Sequence, residues 1–207
     1  MAMTGRPIQR PLGLAYPALG AHPTDEYALG DSLVVAPVVA AGQTSRSVLL
    51  PPGEWLSWWD GSPQTGTIAS PADLDTLPLF LARGAIIPML RPTIETLSPV
   101  TSPTIDSFAT DPGVLYVRVA PGPASSFTVY DGTQLAQAPN MVSYTPGSVF
   151  TKGVIFEVIA TPQPTAVGSL TQQTSLAALE AAADGWFWEP ATGGTLWIKT
   201  TTGTVQF

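Results

Sequence analysis

The chain has 207 residues, 44% of them hydrophobic and only 11% charged, with eight basic side chains against fifteen acidic, a formal net charge of −7, one histidine and no cysteine. That length suffices for one or two domains with buried cores, and the negative balance offers no electrostatic footprint for nucleic acid or an anionic membrane surface. The missing cysteines and single histidine exclude thiol nucleophiles, disulfides, iron–sulfur clusters and Cys- or His-rich zinc sites, and leave a serine triad only through His22.

No run reaches the roughly 18 apolar residues that span a bilayer. Met1 to Arg6 lacks the apolar centre of a signal peptide, and Met1-Ala2-Met3 reads as a start joined to an internal segment. Nineteen Gly and twenty-two Pro fall between short apolar runs, the punctuation of β-structure. Ser32 to Val39 lies between Gly30-Asp31 and Ala41-Gly42, and Arg46 to Leu50 ends at Pro51-Pro52-Gly53; both are rich in β-branched residues. Glu54 to Trp59 stops at Asp60-Gly61, a pair suited to the positive φ of a tight turn. Pro78 to Leu81 and Ala85 to Met89 flank Arg83-Gly84.

Arg91 to Pro112 mixes Thr and Ser with four prolines, shows no sustained periodicity, and reads as a linker containing the domain boundary. After it, Val114 to Val119 alternates with a period of two, and Phe127 to Tyr130, Val154 to Ala160, Thr195 to Lys199 and Gly203 to Phe207 continue the strand series. Only Ser175 to Asp184 predicts a helix, capped by Ser175 and closed by Gly185. The fold class is therefore all-β: two consecutive antiparallel β-sandwich domains with one short helix in the second.

Candidate chemistry is sparse. Asp73 and Asp75 are the nearest approach to the carboxylate pair that glycoside hydrolysis requires, but Ser70-Pro71-Ala72 and Thr76-Leu77-Pro78 around them predict a solvated loop. His22 near Asp25, Glu26 and Asp31 suggests acid–base work, against the plainer reading of a surface histidine. Trp55, Trp58 and Trp59 are read either as an aromatic platform for sugar rings or as packing, with Trp55 and Trp59 on one strand face and Trp58 on the other. Trp186 and Trp188 share a face and are expected beneath the short helix. Asp131-Gly132 and Asp111-Pro112-Gly113 are read as turns, so no metal is expected, and the absence of phosphate-loop motifs leaves no nucleotide or other cofactor.

Several motifs stand in one collinear order: Gly5-Arg6-Pro7-Ile8-Gln9-Arg10-Pro11-Leu12, Ala15-Tyr16-Pro17, Tyr27 to Val38, Ser45-Arg46-Ser47-Val48, Leu50-Pro51-Pro52-Gly53-Glu54-Trp55, Trp59-Asp60-Gly61 and Leu77 to Met89. Together they resemble the end of the catalytic barrel and the following domain of family 31 glycoside hydrolases, the α-glucosidase and α-xylosidase relatives. Phe127-Thr128-Val129-Tyr130-Asp131-Gly132, Gly185-Trp186-Phe187-Trp188 and Leu196-Trp197-Ile198-Lys199 resemble the distal C-terminal domain more loosely.

The resemblance implies a remnant of the barrel at residues 1–25, a proximal β-sandwich at 26–103 and a distal one at 104–207. It implies a parent that hydrolyses α-glycosidic bonds with retention through two aspartates upstream of this segment, so no catalytic residue is carried over. The implied role is non-catalytic: stabilising the barrel and the domain arrangement, with Leu79, Phe80, Ile86 and Ile87 as packing residues. Expected partners are the parent's barrel, a second copy covering an exposed apolar patch, or carbohydrate through the tryptophan faces. Any export signal would precede this stretch, which leaves the compartment open.

Overall fold

The computed structural model describes residues 5–191 and 193–207; the expected joined start at Met1-Ala2-Met3 lies outside the described residues. The chain divides into two compact units, one running to Arg83 and the other starting at Gly84.

The first unit contains β1 (Gln9–Pro11), α1 (Leu12–Ala15), a 3-10 turn (Pro17–Leu19), β2 (Tyr27–Leu29), β3 (Leu33–Val35), β4 (Ser45–Leu49), β5 (Trp55–Ser57), β6 (Pro63–Gln64), β7 (Thr67–Pro71) and β8 (Leu79–Ala82). Six strands form an antiparallel sheet in the order β1-β2-β3-β8-β5-β6, and β4 and β7 form a separate ribbon. Ala28, Val34 and Phe80 stand in register across β2, β3 and β8 and join Leu12, Val48, Leu50 and Trp55 in one buried cluster, with Ile68 of the ribbon against it. Each fully buried large apolar side chain there contributes about 1.5–3 kcal/mol. The expected strand over Glu54 to Trp59 ends at Ser57, because Gly61 at φ 66° donates back to the Ser57 carbonyl over 2.9 Å and Asp60 accepts from Ser62. β1 pairs with β2 and Leu12 is fully buried, so residues 9–12 are an integral part of this unit.

The second unit contains β9 (Ile86–Met89), β10 (Leu115–Val119), β11 (Ser125–Thr128), β12 (Gln134–Ala138), β13 (Met141–Thr145), β14 (Val154–Ile159), α2 (Leu176–Ala181), β15 (Gly185–Glu189), β16 (Thr195–Thr200) and β17 (Gly203–Gln206). It is a sandwich of a five-stranded sheet, β15-β16-β14-β10-β9, and a four-stranded sheet, β11-β12-β13-β17. Val117, Phe156, Ile198 and Trp186 form one row across the five-stranded sheet and share a buried cluster with Leu135, Val142, Tyr144 and Val205 of the other sheet.

The nearly all-β class and the short helix in the second half stand, with three differences of detail. β10 and β14 pair in parallel inside an otherwise antiparallel architecture. A second helical turn, α1, precedes β2. Ser175 caps α2 by accepting from the Ala178 amide at 3.1 Å, but the helix stops at the extended residue Ala182, and Gly185 opens β15 instead of closing the helix.

The division of the chain also falls at Arg83/Gly84, twenty residues ahead of the expected boundary at 103/104. The physical reason is the antiparallel pairing of β9 with β10. It makes the Pro-rich residues 90–114 a loop that leaves one strand and returns to its neighbour within the same unit.

Candidate functional site

In the first unit, an open cleft of about 760 Å³ is lined by Gln9, His22, Asp25, Glu26 and Tyr27, among others. Its acidic pair faces Arg46, whose side chain is 7% exposed and donates through Nη2 to Glu26 Oε1 at 3.0 Å, while Asp25 Oδ2 stands at 3.1 Å. Glu26 also accepts from the Leu49 amide. Burial lifts the Glu26 carboxyl above its ordinary value, and the Leu49 amide and Arg46 offset part of that rise. This cluster fastens the approach to β2 onto β4. Asp31 is taken by Arg10, at 2.5 Å, and by Arg6, at 3.2 Å. His22 is exposed, and its ring lies where a Cβ on Gly13 would stand. The sequence neighbours are thus committed to separate structural contacts and do not assemble an acid–base group.

In the second unit, a polar cleft of about 390 Å³ is lined by Arg91, Asp111, Tyr116, Lys152, Glu180 and Lys199. Two carboxylates line it, so it is the place to look for hydrolytic chemistry. Asp111 is gripped by Lys152 at 2.8 and 2.9 Å and accepts from the Gly113 amide; the lysine contact dominates and holds its carboxyl below the usual range. Glu180 accepts the Tyr116 hydroxyl at 2.6 Å. Burial first, and then this bond, raise the Tyr116 phenol well above its ordinary value. Lys199, 8% exposed, donates at 2.6 Å to the Glu180 and Ala182 carbonyls, the orphan acceptors at the end of α2. Burial lowers its ammonium pKa, with Glu180 opposing. A general acid needs a carboxyl whose pKa is pushed up, and Asp111 is held down. The cleft is a closed set of internal bonds that ties α2 to the outer face of the five-stranded sheet.

The predicted site residues separate in the structure. Trp55 is 3% exposed, donates from Nε1 to the Pro51 carbonyl at 2.9 Å and meets Tyr16 edge-on at 6.3 Å. It has no free face for a sugar, which corrects its assignment to a three-ring platform. Trp58 is half-buried, and Trp59, 50% exposed, donates to the Leu77 carbonyl at 2.7 Å; both sit in the turn after β5. Phe80 belongs to the core of the first unit and Ile86 to that of the second, whereas Leu79 and Ile87 are half-buried.

Asp73 and Asp75 are exposed in a loop, as the prolines beside them predict. Trp186 and Trp188 do share a face, but it is the sandwich interior; α2 lies on the other face, reached by Tyr116 and Lys199. Among the described residues no group of three or more His, Asp or Glu side chains could hold a metal ion.

Sequence reasoning missed the organising charges. Arg91 donates from Nε to Asp106 at 2.9 Å and from Nη1 to the Asp111 carbonyl at 2.8 Å. Asp131 accepts the Thr133 amide and hydroxyl and the Val149 and Phe150 amides at 2.9–3.1 Å. Only the Asp131-Gly132-Thr133 turn leaves a local trace of this in the sequence.

Comparison with known proteins fits this picture. Residues 5–87 match the Glycosyl hydrolase family 31 C-terminal domain. Over 98% of its length the chain is 32% identical to the 1,6-alpha-glucosyltransferase of Sporosarcina globispora, of which it spans 18%. A 92-residue stretch, 42% of this chain and 8% of the relative, is 39% identical to the isomaltosyltransferase of the same organism. The cycloalternan-forming enzyme from Listeria monocytogenes, solved in complex with pentasaccharide substrate, aligns with 98% of this chain and 21% of its own at 28% identity and a TM-score of 0.78. The chain therefore spans about a fifth or less of the length of these three proteins. With the family match over the first unit and the structural match running through both, this chain belongs to glycoside hydrolase family 31 as part of its β-rich C-terminal region.

Proposed function

We propose that the chain is a non-catalytic module of a family 31 enzyme acting on α-glycosidic bonds, and that it braces a catalytic barrel encoded upstream of it. The observation that carries this reading is the state of the acidic side chains. Asp25, Glu26, Asp31, Glu54, Asp60, Glu95, Asp106, Asp111, Asp131, Glu157 and Glu180 are each bonded to a cation, a hydroxyl or a backbone amide of the fold, while Asp73, Asp75, Asp184 and Glu189 are exposed. A retaining mechanism requires two carboxyl groups about 5–5.5 Å apart, one of them free to carry a proton, and the bonded carboxyls are already committed to holding the fold.

The exposed apolar side chains of the first unit support a contact with the barrel there. Ile8 (57% exposed) precedes β1, Leu29 (36%) pairs with Gln9 on β2, and Leu14 (67%) projects from α1. All three belong to the first elements of the unit, β1, α1 and β2 or the residue before them, and β1 is an edge strand of its sheet.

The test is complementation in trans. The chain and the polypeptide encoded upstream of it are produced separately and together, and turnover of an aryl α-glucoside is followed. The expected result is no turnover by this chain alone and recovery of soluble, active barrel only when it is present. Turnover by the pure chain, or an upstream segment equally soluble and active without it, would overturn the reading.

A further inference from the structure

Among the exposed large apolar side chains of the described residues three are aromatic: Trp59, Phe127 and Tyr130. The last two line the same groove. It runs along the open side of the second unit's sandwich, between the edge strands β9 and β11, with a volume of about 380 Å³. Pro88, Met89, Leu115 and Phe150 form its floor and walls, and no charged residue lines it.

Phe127 is 44% exposed and Tyr130 74%. The Tyr130 ring meets Phe150 edge-on at 6.4 Å and 75°, and the next residue is the Asp131 carboxylate with its four donors. The fixed turn at Asp131 and the edge contact with Phe150 restrict where the ring can go, and a restricted aromatic side chain loses less entropy on binding. Thr128, also in the lining, carries a hydroxyl that donates to Gln134 Oε1 at 2.9 Å and gives the groove a polar rim. Mostly apolar and aromatic walls with a few hydrogen-bonding groups are the usual composition of a small-ligand site.

We infer that this groove binds a neutral α-glucan chain, one sugar ring against Tyr130 and its neighbour against Phe127. The uncharged lining argues against an anionic or cationic ligand. A pyranose ring matches the site because its C–H face packs on an aromatic ring while its hydroxyls point outward to the rim and water. That the glucan is α-linked rests on the family reading above. In this role the module would hold polymer close to the parent enzyme without taking part in bond cleavage, at a place unrelated to the tryptophans after β5.

Affinity electrophoresis of the 207-residue chain through gels with and without dextran tests the proposal, with thermal melting of each variant as the control for folding. The expected result is retardation by dextran that weakens about three- to tenfold in apparent affinity in Tyr130→Ala and in Phe127→Ala, with melting unchanged and with Trp59→Ala behaving as the unsubstituted chain. The proposal is overturned by absence of retardation in the unsubstituted chain, by retardation that survives both ring substitutions, by its loss in Trp59→Ala instead, or by a concentration-dependent dimer that Tyr130→Ala disperses. Each of those outcomes leaves the complementation result above unaffected, so failure of the groove and failure of the module reading are told apart.

Discussion

Asp131 shows how one side chain can determine the geometry of a surface. Burial alone would raise its carboxyl, but the Thr133, Phe150 and Val149 amides and the Thr133 hydroxyl outweigh that and hold it below the ordinary aspartate value. A carboxylate with a depressed folded pKa contributes stability that is present above its unfolded value, about 3.9, and is lost as pH falls through the folded one. Asp131→Ala strands three backbone donors and is expected to cost about 1–3 kcal/mol at neutral pH. In urea titrations that difference should shrink below about pH 4; a difference independent of pH would show that the carboxylate charge is not what organises the turn.

The tryptophans give the complementary lesson on what a sequence carries. Alternation along Glu54 to Trp59 was the right rule for Trp55 and Leu56 in β5, and it failed for Trp58 and Trp59 because the Asp60-Gly61 turn had already begun. Exposure at Tyr130 was not legible, since an aromatic at the end of a strand looks the same from sequence whether it points into the sandwich or beside it.

Among the elements, the loop at residues 90–114 departs most from expectation. Its prolines and lack of period read as a linker, yet Ser107 is 2% exposed with its hydroxyl on the Ser98 carbonyl at 2.6 Å, and Thr96 bridges Ser107. The fastening is Arg91, bound to Asp106 and the Asp111 carbonyl. Those partners are fifteen and twenty residues away, a separation that no local pattern reports.

Gly113, at φ +68°, leaves the space that Arg91 uses; a Cβ there would lie 2.0 Å from Nη1. Arg91→Ala should therefore accelerate amide hydrogen exchange at Phe108 and Asp111, with little change in β14 or β16. Arg91→Lys should fail to restore protection, because an ammonium cannot reproduce the planar fork. Protection unchanged in Arg91→Ala would mean that the loop is held by its backbone bonds alone.

Strand positions were legible where β-branched residues cluster, as in β10 and β14. β12, Gln134-Leu135-Ala136-Gln137-Ala138, escaped notice because it has none and takes its conformation from pairing on both sides.

For the molecule as a whole, composition and motif order carried the family and the nearly all-β class, while the division at Gly84 depended on which strands pair. The exposed Ile8, Leu14 and Leu29 have a consequence in isolation. Exposed apolar side chains beside the open edge strand β1 favour self-association, so the purified chain is expected to form a concentration-dependent dimer by sedimentation, and Leu14→Glu should shift it to monomer without lowering its melting temperature. A monomer at all concentrations, or a dimer indifferent to Leu14→Glu, would place the sticky surface elsewhere or remove it.

The parallel pairing of β10 with β14 encloses the β11-β12-β13 meander, and the final strands β16 and β17 then complete one sheet each. During translation the first unit has all its strands available once Arg83 has cleared the ribosomal tunnel. The second has an open edge on β13 until Gly203 to Gln206 emerge. The two halves therefore mature on different schedules, and the late half waits longest with unsealed hydrogen-bonding edges, so the interval before β17 emerges is when a chaperone has most to protect.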